Sequence, residues 1–257
     1  MAINAASMYD VDPHIAEVYD GDWATEADEV DDIRGHLAGR GPLRVLEPFC
    51  GTGRILLPLA LEGHELVGMD RSRVLLGRLR EKLSALPAKV QRRVTLIEAD
   101  VLALPWPTGF DVVFMGGNCL YELASPEEQE RCLREAARAL RVGGHLYLDN
   151  DCMEGDLDES WRRPGLRWRP SVRCADGTLL EFGSETIWYD APRRLHRARR
   201  LTRATSPDGR VTEREFVIQK HPPSVAEVRG WLAARGFVIE RAEESGDRAP
   251  YWARRER

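Results

Sequence analysis

The chain has 257 residues, a formal net charge of −5 and five cysteines. That length supports one full α/β core with room for a smaller insert, and the acidic balance argues against a general nucleic-acid binder. The cysteines (50, 119, 132, 152 and 174) form no Cys-x-x-Cys pair and are odd in number, which fits a reduced, cytoplasmic setting. No apolar run reaches membrane length, and residues 1–30 lack a hydrophobic signal core.

Residues 1–24 are polar with interspersed aromatics, Tyr9, Tyr19 and Trp23. Thr25-Glu26-Ala27-Asp28 opens a helix, with Thr25 as the cap; its apolar positions are Ala27, Val30, Ile33 and Leu37, and Gly39 ends it. The first strand is predicted over 43–47, a helix to about Glu62, and the second strand over 65–70. A helix over about 72–86 stops before Pro87, and the third strand closes at Asp100. The fourth strand covers 111–115. Ser125-Pro126-Glu127-Glu128 reads as a capping box, its helix reaching about Leu140. Val142-Gly143-Gly144 then turns into a fifth strand over 145–150. This alternation implies a parallel sheet with helices on both faces.

The pattern changes between 151 and 222. Turn signals at Ala175-Asp176-Gly177, Ala191-Pro192 and Ser206-Pro207-Asp208-Gly209 separate period-two runs over 178–190, 194–205 and 211–221. They predict an antiparallel meander of three or four strands. Ser224-Val225-Ala226-Glu227 is a second capping box, with a helix ending at Gly236. A strand follows from Phe237, and 251–254 pairs with it across Ser245-Gly246-Asp247.

Three acids sit at successive strand ends. Val45-Leu46-Glu47 runs into Pro48-Phe49-Cys50-Gly51-Thr52-Gly53-Arg54, a glycine turn before a helix; Asp70 and Asp100 close the next two strands. Glycines let a ligand approach the backbone, and helix N–H groups face it. Carboxylates accept hydrogen bonds from ribose hydroxyls and an adenine amine but repel polyphosphate, so the set reads as a nucleoside site. A dinucleotide fingerprint would want G-x-G-x-x-G, and here Gly53 is followed by Arg54-Ile55-Leu56.

This layout resembles the class I S-adenosylmethionine-dependent methyltransferases, over roughly 40–150 and again near 222–257. The resemblance implies an α/β fold with a Rossmann-like, seven-stranded, mostly parallel sheet. It implies that Glu47, Cys50, Gly51 and Gly53 hold the methionine part of S-adenosylmethionine, or of the product S-adenosylhomocysteine. Asp70 and Arg71 would hold the ribose, Asp100 and Val101 the adenine, and Gly116 would lie near the sulfonium. Phe49 departs from the commonest pattern, Glu-x-Gly-x-Gly-x-Gly, by standing where the first Gly would be. An antiparallel insert after the fifth strand resembles the small-molecule branch, the glycine, sarcosine and amino-sugar N-methyltransferases. The expected organisation is a lid segment and helix over 1–40, a core over 41–150 and 222–257, and the insert over 151–221.

The acceptor side carries alternatives. After the fourth strand, Gly116-Gly117-Asn118 permits close approach, and Asn118 is a candidate catalytic contact with Tyr121 beside it; a plain strand-exit turn is the other reading. Asn150 and Asp151 end the fifth strand as candidate substrate contacts. A catechol-type Mg²⁺ site would need a third carboxylate where Gly116 stands, so no metal is expected. Tyr9 and the catalytic candidate Tyr19 precede the core, where a lid folds in this family; pinning the N-terminal segment is their other reading. Trp188 belongs to an aromatic group in the insert that suits an acceptor pocket or a homodimer interface. The run Arg193, Arg194, Arg197, Arg199, Arg200 and Arg203 reads as a solvated strand face opposite Glu181, Glu185, Glu213 and Glu215, not as a nucleic-acid site. The expected activity is methyl transfer to a nitrogen or oxygen of a small metabolite by positioned in-line displacement. RNA or protein methylation, or a non-catalytic nucleoside-binding module, are the alternatives.

Overall fold

The computed structural model describes residues 8–21, 27–103, 105–151, 159–244 and 248–257. Trp23, the Thr25 cap, Cys152 and the Ser245-Gly246-Asp247 turn lie outside these residues. Two short helices, α1 (Met8–Val11) and α2 (Ile15–Gly21), precede α3 (Ala27–Leu37). The core follows as β1 (Arg44–Pro48), α4 (Leu56–Glu62), β2 (Glu65–Asp70), α5 (Arg73–Ser84), α6 (Ala88–Gln91) and β3 (Val94–Glu98). Then come β4 (Phe110–Met115), a 3-10 turn (Cys119–Glu122), α7 (Pro126–Ala139) and β5 (Leu140–Leu148). After α8 (Glu159–Arg162) the insert has β6 (Arg167–Trp168), β7 (Val172–Arg173), β8 (Leu179–Asp190), β9 (Leu195–Thr205) and β10 (Val211–Lys220). The core closes with α9 (Val225–Ala234), β11 (Phe237–Ala242) and β12 (Tyr251–Arg255).

The main sheet has seven strands in the order β11-β12-β5-β4-β1-β2-β3, mostly parallel, with β12 antiparallel to both neighbours. The order reverses between β1 and β4. At such a switch point the connections leave in opposite directions and open a crevice at the carboxyl ends of the strands. Strands buried on both faces read as apolar runs: Val45, Leu46, Val112, Val113 and Phe114 are almost fully buried. Two apolar clusters hold the sheet. One joins Leu46, Val113 and Leu148 to Leu133 of α7 and Leu232 of α9. The other joins Val45, Phe114 and Trp252 to Ile33 of α3 and Leu56 of α4.

The caps follow the sequence closely. Ser224 and Glu227 form the reciprocal capping box of α9. At α7, Ser125 accepts from Glu128 N–H, but the Glu128 carboxylate reaches back to Ala124 N–H rather than to the cap residue. Two boundaries differ. The third strand ends at Glu98, so Asp100 lies in the following turn, where its own carboxylate accepts from Leu102 N–H. Residues 142–144 do not form a separate turn. The chain leaves α7 straight into β5, and the double glycine is taken up as a register shift against β4, with Gly143 at φ +81°.

The insert forms a separate five-stranded antiparallel sheet in which β9 lies between β8 and β10. One face carries a charge ladder: Arg199 pairs with Glu185 and Glu215, and Arg203 with Glu181 and Glu213. A third apolar cluster ties α2 to both layers through Ile15, Val18, Leu75 of α5, and Leu180 and Phe182 of the insert.

Candidate active site

The glycine turn after β1 bends through three left-handed residues, Phe49 (φ +63°), Gly51 (φ +51°) and Gly53 (φ +83°). The two glycines differ in purpose. A Cβ on Gly53 would run into Leu79 of α5, so that glycine serves the packing of turn on helix. A Cβ on Gly51 would point toward the Tyr19 ring, 3.5 Å away, in the mouth of the crevice. Asp70, at the end of β2, aims back at this turn. Its two oxygens accept from Gly51 N–H at 2.9 Å and Ser72 N–H at 2.8 Å. Burial pushes the Asp70 carboxyl up, and those two N–H groups pull it down. Each oxygen retains a lone pair for a further donor.

Glu47 is almost fully buried, and its Oε2 has no hydrogen-bond partner among the described residues. Burial pushes its pKa well above the usual carboxylate range; Arg54 opposes this while Glu29 and Asp70 add to it. Glu29 was not legible as a site residue. It reaches from α3, fully buried, to pair with Arg54 and to accept from Gly117 N–H at 3.1 Å, with Arg248 at 3.5 Å. It also explains Gly116, where a Cβ would lie 2.6 Å from Glu29 Oε1.

A cavity of about 740 Å³ runs from this turn to the insert sheet. Of the sequence candidates, its wall includes Gly51, Asp70, Arg71, Asp100, Val101 and Gly116 at the core end. Tyr9, Tyr19 and Tyr121 line it as well. Ser72 fastens the N-terminal segment, donating its hydroxyl to Tyr9 O while accepting from Leu75 N–H. Tyr9 and Tyr19 meet edge to face at 6.3 Å. Burial is the main cause that pushes both phenols above their usual pKa.

Several candidates are placed elsewhere. Asn118, at φ +58°, uses its amide oxygen to accept from Asp151 N–H at 3.1 Å, tying the β4 exit to the β5 exit. Asn150 is buried and donates to Asp151 O, and Asp151 forms a β-bridge with Arg248. Trp188 lies half-exposed with the Arg197 guanidinium 5.0 Å from its ring centroid. Cys50 is core: its Sγ packs on Gly68 of β2, and burial pushes the thiol pKa up. None of these four contact sets, nor Glu47 or Gly53, is on the cavity wall. Conversely, the wall includes Phe182, Arg200, Phe216 and Lys220 from the insert, which strand periodicity alone could not assign to a face. Among the described residues there is no group of three or more His, Cys, Asp or Glu placed to hold a metal.

A sheet that reverses its order above a glycine turn, with a buried acid on either side of that turn, is the class I methyltransferase architecture. Residues 45–144 match the family model described as "Methyltransferase domain". It is similar to the cypemycin N-terminal methyltransferase of a Streptomyces species, 36% identical over 41% of this chain and 40% of the relative. It is similar to the 27-O-demethylrifamycin SV methyltransferase of Amycolatopsis mediterranei, 32% identical over 51% of this chain and 48% of the relative. The chain thus spans about half the length, or less, of these curated relatives. In structure it is similar to the CcbJ methyltransferase of Streptomyces caelestis, with a TM-score of 0.70 over 95% of this chain and 96% of that one, at 24% identity.

Proposed function

We propose that the chain transfers a methyl group from S-adenosylmethionine to a nitrogen of a small metabolite. The donor supplies an activated methyl on a sulfonium. Asp70 accepts the ribose hydroxyls, Asp100 and Val101 border the adenine end, and the orphaned Glu47 oxygen suits a donor group of the methionine part. In this reading the core over 41–150 and 222–257 holds the donor, and the lid over 1–40 and the insert over 151–221 close on the acceptor. The protein aligns the acceptor with the methyl and excludes water.

One observation carries the choice of nitrogen. Among its described residues the cavity wall has no histidine, and Tyr9 and Tyr19, both half-buried, have phenols pushed up by desolvation. An oxygen acceptor gains from a nearby base, whereas an amine needs only to arrive neutral. Glu128, also on the wall, suits an approaching ammonium. The two curated relatives are named for an N-terminus and for a 27-O-demethyl compound, so likeness leaves the atom to this geometry. The test is a radiolabelled-methyl transfer assay on matched amine and hydroxyl acceptors. Label appearing only in the hydroxyl series refutes the nitrogen assignment, and failure to bind S-adenosylhomocysteine refutes methyl transfer.

A further inference from the structure

The arginines of β9 divide by face. Arg199 and Arg203 are held in the ladder of glutamates, and Arg197 donates to Gln219. Arg200 alternates to the other face, on a rung between Ser184 of β8 and Phe216 of β10, and lines the cavity. Two other cations on this face of the sheet are satisfied. Arg214 pairs with the buried Asp12, and Lys220 with Glu122 while lying 4.0 Å from the Tyr121 ring centroid. The half-buried Arg200 side chain has no ion pair or hydrogen bond to any described residue.

A partly desolvated guanidinium left without an anion loses hydration that nothing replaces, so the position favours an incoming anion. Arg169 of the insert is on the same wall, within a stretch, residues 162–173, that contains five arginines and no Asp or Glu. Tyr9 and Arg200 line the same cavity, Tyr9 from the N-terminal segment and Arg200 from the insert.

We infer that the acceptor is bipolar: an amine turned toward the donor, and an anionic group, phosphate or carboxylate, held by Arg200. This rests on the methyl-transfer reading and names the substrate class within it. The cavity, about 740 Å³, favours a small anion over a polynucleotide. The anion also fixes the orientation of the acceptor, because only one end of a bipolar molecule can meet Arg200.

Calorimetric titration tests this with the intact chain, alone and saturated with S-adenosylhomocysteine. The probes are inorganic pyrophosphate in one arm and glutarate in the other, on wild type, Arg200→Gln and, as a control on the opposite face, Arg203→Gln. One probe should bind wild type and Arg203→Gln alike and bind Arg200→Gln at least about tenfold more weakly. The preferred probe identifies phosphate or carboxylate. S-adenosylhomocysteine affinity and the melting temperature should be the same in all three proteins. Binding of neither probe to wild type, or equal binding to Arg200→Gln, overturns the inference. So does an oligoribonucleotide that binds more tightly than both probes and ignores Arg200→Gln. Loss of S-adenosylhomocysteine binding in wild type would instead strike the methyl-transfer reading, and the titrations without it still decide the anion site.

Discussion

Phe49 is an L-residue with a bulky side chain at φ +63°, where glycine is the natural occupant. The left-handed conformation costs roughly 1–2 kcal/mol for a residue with a Cβ. The ring is half-buried against the cluster around Leu46 and Met69, and half of a full aromatic burial is worth about 1 kcal/mol. Phe49→Ala keeps the strain and loses the packing. Phe49→Gly loses the same packing but relieves the strain, against about 0.5–1 kcal/mol of extra chain entropy. Glycine should therefore be the more stable variant by about 0.5–1 kcal/mol, although glycine is the weaker choice at most positions. At this chain length that is a Tm difference of roughly 1–4 °C. Urea unfolding followed by circular dichroism, beside a thermal scan, measures it. If Phe49→Ala equals or exceeds Phe49→Gly in stability, the turn is not left-handed at this residue and the account of the donor loop is wrong.

Three further outcomes are expected. Asp70→Asn turns one acceptor oxygen into an N–H₂ facing a backbone N–H, so S-adenosylhomocysteine affinity should fall by at least about tenfold in calorimetry; an unchanged value removes Asp70 from the donor site. Glu29→Gln keeps a group for Gly117 N–H but leaves Arg54 and Arg248 facing a neutral amide. A broken buried pair costs about 3–5 kcal/mol, a Tm drop on the order of 10 °C, and a shift under 2 °C would refute the pairing. His14 bridges Asp12 and Asp176, joining the N-terminal segment to the insert. Burial lowers its pKa, but the two carboxylates outweigh that and the net shift is upward. Its stabilisation is therefore complete below the unfolded value near 6.5 and is lost as pH rises through the higher folded value. Hydrogen exchange of α2 should quicken across that window in wild type and show no such step in His14→Gln.

The core was legible because its signals are local. Strand-end acids, the Gly51 turn and two Ser caps each announce themselves within four residues, and the β-α alternation then fixes the sheet. The boundary at 140 was not, because Val142-Gly143-Gly144 has turn composition while the pairing of β4 with β5 absorbs it as an irregular strand. Asn118 was legible as important but not as to purpose: its side chain bonds to Asp151, a contact between two strand exits that no spacing reveals. The insert shows the sharper limit. Period-two runs predict strands, yet which arginine faces the charge ladder and which the cavity depends on register, and one step would exchange Arg199 for Arg200. Glu29 stands in a polar stretch of α3 that looks solvent-facing, and only tertiary structure brings it under Gly116.

The placement of β12 has a consequence for biosynthesis. It is the last strand in sequence order, yet it occupies an interior position between β5 and β11. Until it emerges, β5 presents an open edge from 145 to 148, an invitation to pair with another nascent chain. The exit of β5 matures at the same late moment, since Ala249 N–H donates to Asn150 O and Arg248 pairs with Asp149 only when this segment arrives. The crevice can thus be outlined early on the ribosome, while its floor at β5 is completed only once β12 has emerged. A product stalled before β12 would carry the Gly51 turn intact and still be prone to aggregate through the unfilled slot.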